Sequence, residues 1–131
     1  MKYVILIHAN PNPWGHPTGH YTDEGRRLDR TERTAMDRKF DELMETMSAS
    51  GELIVCEALA DPASSTIYRW AGDGCVATDG PYAETKEHLA GFYLVDVDSR
   101  ERAIEIAGRI PEAAIGGVEV RPILTYNALE M

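Results

Sequence analysis

The sequence predicts an α+β fold built on a split βαβ sheet, with both helices on one face of the sheet. Three observations carry this. Residues 2–8 and 89–97 read as strands that are apolar on both faces. Two amphipathic helical segments, each with a readable stop, connect strands. The element order is β, α, β, a ββ hairpin, then βαβ, and right-handed crossovers turn it into a split βαβ sheet that carries the hairpin as an insertion.

In the first strand Tyr3, Ile5 and Ile7 share one face, and Val4 and Leu6 the other. Residues 9–25 concentrate Pro11, Pro13, Pro17, Gly15, Gly19 and Gly25 with Trp14, His16 and His20, and read as an extended loop without an element of its own. A Trp in so long a connection predicts that it folds against something. Two readings stay open, a lid over a pocket and a surface loop whose Trp covers exposed apolar area. From Thr31 to Ser50 the residues Met36, Phe40, Leu43, Met44 and Met47 recur at helical spacing, and Gly51 supplies the stop.

Leu53 to Leu59 form a second strand that carries charge, and Asp61-Pro62 opens the connection that follows. Thr66–Trp70 and Cys75–Thr78 flank Ala71-Gly72-Asp73-Gly74, which fits a four-residue hairpin loop. Asp79-Gly80-Pro81 suits a tight turn, with Gly accepting positive φ and Pro fixing its own. The next strand sets Leu89, Tyr93, Val95 and Val97 against Phe92 and Leu94. A second helix runs from Ser99 to Ile110, with Asp98 as its cap, a stripe of Ala103, Ile104, Ala107 and Ile110, and Pro111 at its end. Val118–Leu124 close the sheet.

Two helices cover one face of a sheet, yet the first and fifth strands are apolar on both. The second face therefore needs cover from outside the chain, which predicts a sheet-on-sheet homodimer. The alternative is that tyrosines and the hairpin fold back over it.

At 131 residues, one domain spanning 1–131 accounts for the chain. Thirteen basic against twenty-two acidic side chains give a net charge of −9, which repels phosphate backbones and anionic lipid, so neither nucleic acid nor a membrane is an expected partner. The one basic cluster, Arg26, Arg27, Arg30 and Arg33, is interleaved with Asp23, Glu24, Asp29 and Glu32 and reads as a solvated face. The apolar run Tyr3–Ile7 is too short to span a bilayer, and the Pro-Asn-Pro segment after it does not resemble a cleavage region, so the expected location is cytoplasmic. Cys56 and Cys75 lack the spacing of a redox or zinc motif and are expected to be unpaired.

The most specific stretch is Asp79-Gly80-Pro81-Tyr82-Ala83-Glu84-Thr85-Lys86-Glu87, followed by the strand containing Gly91-Phe92. It resembles the DGPF signature, D-G-P-[FY]-x-E-x-K-E, of the YCII-related family. The resemblance extends to Met1–Ile7, Glu57-Ala58-Leu59 and Gly117–Ile123, leaving out residues 9–34. It implies a ferredoxin-like subunit paired into a dimeric α+β barrel. The broader YCII relatives resemble enzymes that use a His and an Asp, with the His on the first helix. That position falls near Phe40 here, and Phe cannot transfer a proton, so neither of their catalytic residues is carried over.

A substrate site in such a fold is expected between sheet and helices, where an apolar wall meets a few polar groups. Asp79, His8 and Glu84 are the candidates for acid or base work. Tyr82, Glu57, Arg121 and Trp14 are the candidates for holding a ligand. Each also has a structural reading: Asp79 bonding its own turn, Glu84 paired with Lys86 in solvent, His8 and Tyr82 finishing the edge of the core. His16 and His20 form an H-x₃-H pair, but Pro17 and Gly19 between them disfavour the helix that would aim both at one metal, and Asp23 or Glu24 would have to complete the set, so no metal site is expected, and no cofactor.

Two functional classes follow. One is a homodimer that binds a small organic molecule and carries out proton transfer, elimination or isomerisation without a cofactor. The other, implied by the resemblance, is an accessory module acting through protein contacts beside extracytoplasmic-function sigma factors.

Overall fold

The computed structural model describes residues 1–15, 18–83 and 85–125. Four strands, β1 (Lys2–Ala9), β2 (Leu53–Ala58), β5 (His88–Asp96) and β6 (Gly117–Pro122), form one antiparallel sheet in the order β2-β5-β1-β6. The two strands that are apolar on both faces, β1 and β5, are the central pair. This α+β arrangement is compatible with a ferredoxin-like split βαβ sheet. Among the described residues, β3 (Thr66–Ala71) and β4 (Gly74–Asp79) pair only with each other. Their loop is the two residues Gly72-Asp73, with Gly72 at φ +66°, rather than the four expected, because pairing extends to Ala71–Gly74.

Both long helices lie on the face that carries Tyr3, Ile5, Ile7, Tyr93 and Val95. Helix α2 (Arg30–Ser50) contributes Leu43 and Met47, and α3 (Arg100–Arg109) contributes Ala103, Ile106 and Ala107, to one cluster with those residues. The N-terminus of α2 is closed by a capping box: the Asp29 carboxylate accepts from Glu32 N at 2.8 Å, and Glu32 Oε1 accepts from Asp29 N at 3.3 Å. Gly51, at φ +79°, ends it in the left-handed conformation that only Gly adopts without strain.

Helix α3 differs from expectation in two details. Its cap is Ser99, whose Oγ accepts from Arg102 N at 3.1 Å, not Asp98. The buried stripe is Ala103, Ile106, Ala107 together with Ile110, while Ile104 is half exposed. Positions 103, 106, 107 and 110 follow the 3-1-3 rhythm of one helical face, which Ile104 breaks. A short helix, α4 (Glu112–Ile115), then leads into β6.

The other face of the sheet presents Val4, Leu6, Phe92, Leu94 and Val55, all half-buried, with His8, Glu119 and Arg121 along its β6 side. Leu89 belongs to this face as well. Pairing jumps from Ile7–Gly91 to His8–Leu89, so a bulge at Ala90 reverses the alternation and sets Leu89 opposite His8, 40% exposed. Strict period-2 counting groups Leu89 with Tyr93 and Val95, and the bulge is what defeats it.

Candidate functional site

Between the helix-covered face of the sheet and the N-terminal half of α2 lies a cavity of about 360 Å³. This is within the size range of small-molecule sites. The helix that walls it has a divided apolar stripe. Leu43 and Met47 at its C-terminal end are fully buried in the core, whereas Met36 and Phe40, two turns and one turn before Leu43, are half-buried against the cavity. The sheet supplies Ile7, Ala90, Tyr93 and Cys56, and Pro111 and Glu112 close one end.

The chain after β1 folds back to complete the wall. This segment holds a single 3₁₀ turn, Thr18–Tyr21, and a one-turn helix, α1 (Asp23–Arg26), so it is more structured than its Pro and Gly content suggests. Buried Thr22 fixes it by accepting from Gly25 N and donating to Gly19 O, each at 3.0 Å. Asn12 N donates to Tyr21 O at 2.9 Å. Gly19 lies so close to Ile115 that a Cβ would come within 2.6 Å of its Cδ1. The turn thereby holds His20 in the cavity wall.

His20 Nε2 stands 3.0 Å from Asp37 Oδ1, and both residues line the cavity. A carboxylate only accepts, so this contact places a proton on Nε2, and in the neutral ring Nδ1 is then the acceptor. Asp37 follows Met36 directly and lies one turn before Phe40. Neighbouring groups are held uncharged. Burial first, then the negative charge of Glu112, pushes the Tyr93 hydroxyl well above its ordinary value. Burial, then Glu57, raises the Cys56 thiol, which stays protonated and weakly nucleophilic at neutral pH. Neither cysteine is in a disulfide.

The residues put forward from sequence are dispersed. Glu57 lines the cavity, although its register partner Phe92 places its side chain on the opposite face of the sheet. His8 and Arg121 meet on that opposite face around Glu119: His8 Nε2 is 3.0 Å from Glu119 Oε1, and Arg121 Nε donates to Oε2 at 3.1 Å. Together, His8 first, they hold the Glu119 carboxyl below its usual range. Trp14 packs against the core and donates its indole N–H to Leu59 O at 2.9 Å, pinning the segment after β1 to the end of β2.

Asp79 ends β4 opposite Thr66 and is exposed. Tyr82 is 72% exposed, with the Arg69 guanidinium 5.1 Å from its ring centre. Gly80 does not take the positive φ expected of it. Its N–H donates to Ser65 O at 2.6 Å, and a Cβ there would run into Ser65, so close approach is what requires glycine. Glu84 and His16 lie outside the described residues. Among the described residues, no group of three or more His, Cys, Asp or Glu is placed to hold a metal ion.

Sequence reasoning weighs His20 only as half of a metal pair and passes over Asp37. A signal is present in each. Asp37 is a carboxylate set within an apolar helical stripe, and His20 sits in a connection whose Trp already predicts that it packs on something.

The protein is similar to an uncharacterised protein of Rhizobium meliloti, with 38% identity over 79 residues. The shared stretch is 59% of this chain and 63% of that protein, so the chain spans less than two thirds of its relative. The pattern of the YCII-related domain matches residues 1–127. A match over nearly the whole chain, on an α+β framework with an antiparallel sheet, establishes that the protein belongs to the YCII-related family.

Proposed function

We propose that this protein is a cofactor-independent acid/base enzyme acting on a small organic molecule held in the cavity between the sheet and α2. The observation that supports this reading is the His20–Asp37 pair, at 3.0 Å, in the wall of a largely apolar cavity. A carbon-bound or hydroxyl proton of the substrate passes to Nδ1. The imidazolium that forms is stabilised by Asp37 through Nε2–H, its Nδ1 proton exchanges with solvent, and a proton is returned from Nδ1 to the substrate at the same or another atom. Tyr93, kept neutral by burial, is a hydrogen-bond donor suited to an oxygen on which charge develops. Asp79, His8 and Glu84, the acid/base candidates from sequence, have no part in this scheme. The apolar sheet face around Leu6 and Phe92 supports a homodimer, and the DGPF-like turn supports placement in that branch of the family. Both belong to this reading.

The test uses exchange of solvent deuterium into a panel of neutral carbon acids, ketones, phenols and enol lactones, with and without an amino group, followed by proton NMR. At least one compound exchanges faster with the protein, and His20→Gln and Asp37→Asn each lower that rate about 100-fold. Exchange that is absent throughout, or unchanged in His20→Gln, overturns the proposal.

A second reading has its own observation. The β3–β4 hairpin carries Tyr68 and Trp70 on one face at 68% and 73% exposure, and that aromatic stripe suits a module acting through protein contacts.

A further inference from the structure

We infer that the substrate is an uncharged carbonyl compound on an apolar skeleton, a ketone or lactone whose oxygen accepts from the Tyr93 hydroxyl while the C–H beside the carbonyl faces His20. This rests on the reading of the cavity as the substrate site and names the class of molecule it takes. Tyr93 pairs in register with Ile5 on one side and Cys56 on the other, so the three side chains share the helix-covered face of the sheet, where Tyr93 lines the cavity. Its hydroxyl makes no hydrogen bond among the described residues. A tyrosine withdrawn from solvent normally finds a partner for its hydroxyl. Here the acceptor is left for a ligand to supply.

The charged groups around the cavity are engaged or turned away. Asp37 is bound to His20, the Glu57 side chain lies on the opposite face of the sheet, and Glu112 has an interaction of its own. Among the described residues that line the cavity there is no lysine or arginine. A carboxylate or an ammonium entering would give up its water and gain no free counter-charge in the described wall. An uncharged molecule avoids that cost, and Ile7, Met36, Phe40, Ala90 and Pro111 receive its hydrocarbon part. In the scheme above, Nδ1 of His20 takes the proton from the carbon beside the carbonyl. The C–H electron pair becomes the C=C bond of an enolate, and the carbonyl π pair moves to the oxygen. Tyr93 donates to that oxygen and keeps its own proton, since burial holds the hydroxyl neutral. Return of a proton to carbon restores the carbonyl.

The experiment compares 2-indanone, indane, 2-aminoindane and indane-2-carboxylate, which share one ring system and differ in the group on a single carbon. Binding to the full chain is measured by calorimetry and by chemical-shift mapping of the cavity residues, and deuterium exchange beside the carbonyl by proton NMR. The ketone binds in the cavity about tenfold more tightly than indane and at least tenfold more tightly than either ion. Tyr93→Phe, which keeps the ring, lowers ketone affinity to that of indane and leaves indane unchanged. An ion that binds in the cavity as tightly as the ketone overturns the inference. So does a ketone whose affinity Tyr93→Phe leaves unchanged.

The four-probe comparison on the unaltered protein decides between the classes even if the variant does not fold. Accelerated exchange that is lost in His20→Gln, beside an ion bound as tightly as the ketone, defeats the carbonyl class alone. A ketone preference that depends on Tyr93, with no acceleration of exchange, supports the carbonyl class and defeats only the catalytic reading. Failure of all four probes to shift cavity resonances defeats the cavity as a site, and the inference with it.

Discussion

Glu52 and Arg102 join the turn after α2 to the first turn of α3 through a two-pronged contact, Nε to Oε2 at 2.8 Å and Nη2 to Oε1 at 2.9 Å. The arginine first, then Ser50, holds the Glu52 carboxyl below its ordinary value of 4.5, against an opposing effect of burial. A carboxyl whose folded value is depressed stabilises the fold above the unfolded value and loses that stabilisation as pH falls through the folded one. The side chains retain 17% and 24% exposure, which calls for a discount on a buried charge-assisted bond. Glu52→Gln is therefore expected to cost about 1 kcal/mol in urea unfolding at pH 7 and less at pH 3, below the unfolded value. An equal cost at both pH values would show that the contact does not act through the carboxylate charge. At this scale the sequence is least legible. His20 and Asp37 are 17 positions apart, and their meeting depends on how the segment after β1 folds back, which no local spacing encodes.

At the scale of elements, the helices and central strands are readable because their signals are local. Gly51 ends α2 where its left-handed backbone demands glycine, and β1 alternates without interruption. Errors arise where one residue displaces a pattern: the bulge at Ala90, and the cap of α3 one position later than expected. The cap is open to direct test. Ser99→Ala removes the acceptor of Arg102 N and is expected to cost about 1 kcal/mol, whereas Asp98→Ala changes stability by no more than a few tenths. Equal losses in the two variants, measured by thermal unfolding, would return the capping role to Asp98.

For the whole molecule, the α+β order is legible because β1 and β5 are apolar on both faces and so have to be central. The same property motivates the proposed homodimer, since α2 and α3 occupy only one side of the sheet. Light scattering at micromolar concentration is expected to give twice the chain mass, and Leu6→Glu, in the middle of the face opposite the helices, half of that with the secondary structure retained. A parent protein that stays monomeric after tenfold concentration would refute the dimer. No helix among the described residues is long and apolar enough to cross a membrane.

The divided stripe of α2 separates two kinds of selection on a single helix. Leu43 and Met47 lie in the core, while Met36 and Phe40, one to two turns before Leu43, line the cavity beside His20 and, on the proposed reading, decide what fits there. Exchanges at the second pair disturb few core contacts and so carry a small folding penalty. On the proposed reading, residues 36 and 40 can change what the cavity accepts while the architecture stays under separate constraint, so a shared framework does not require a shared substrate.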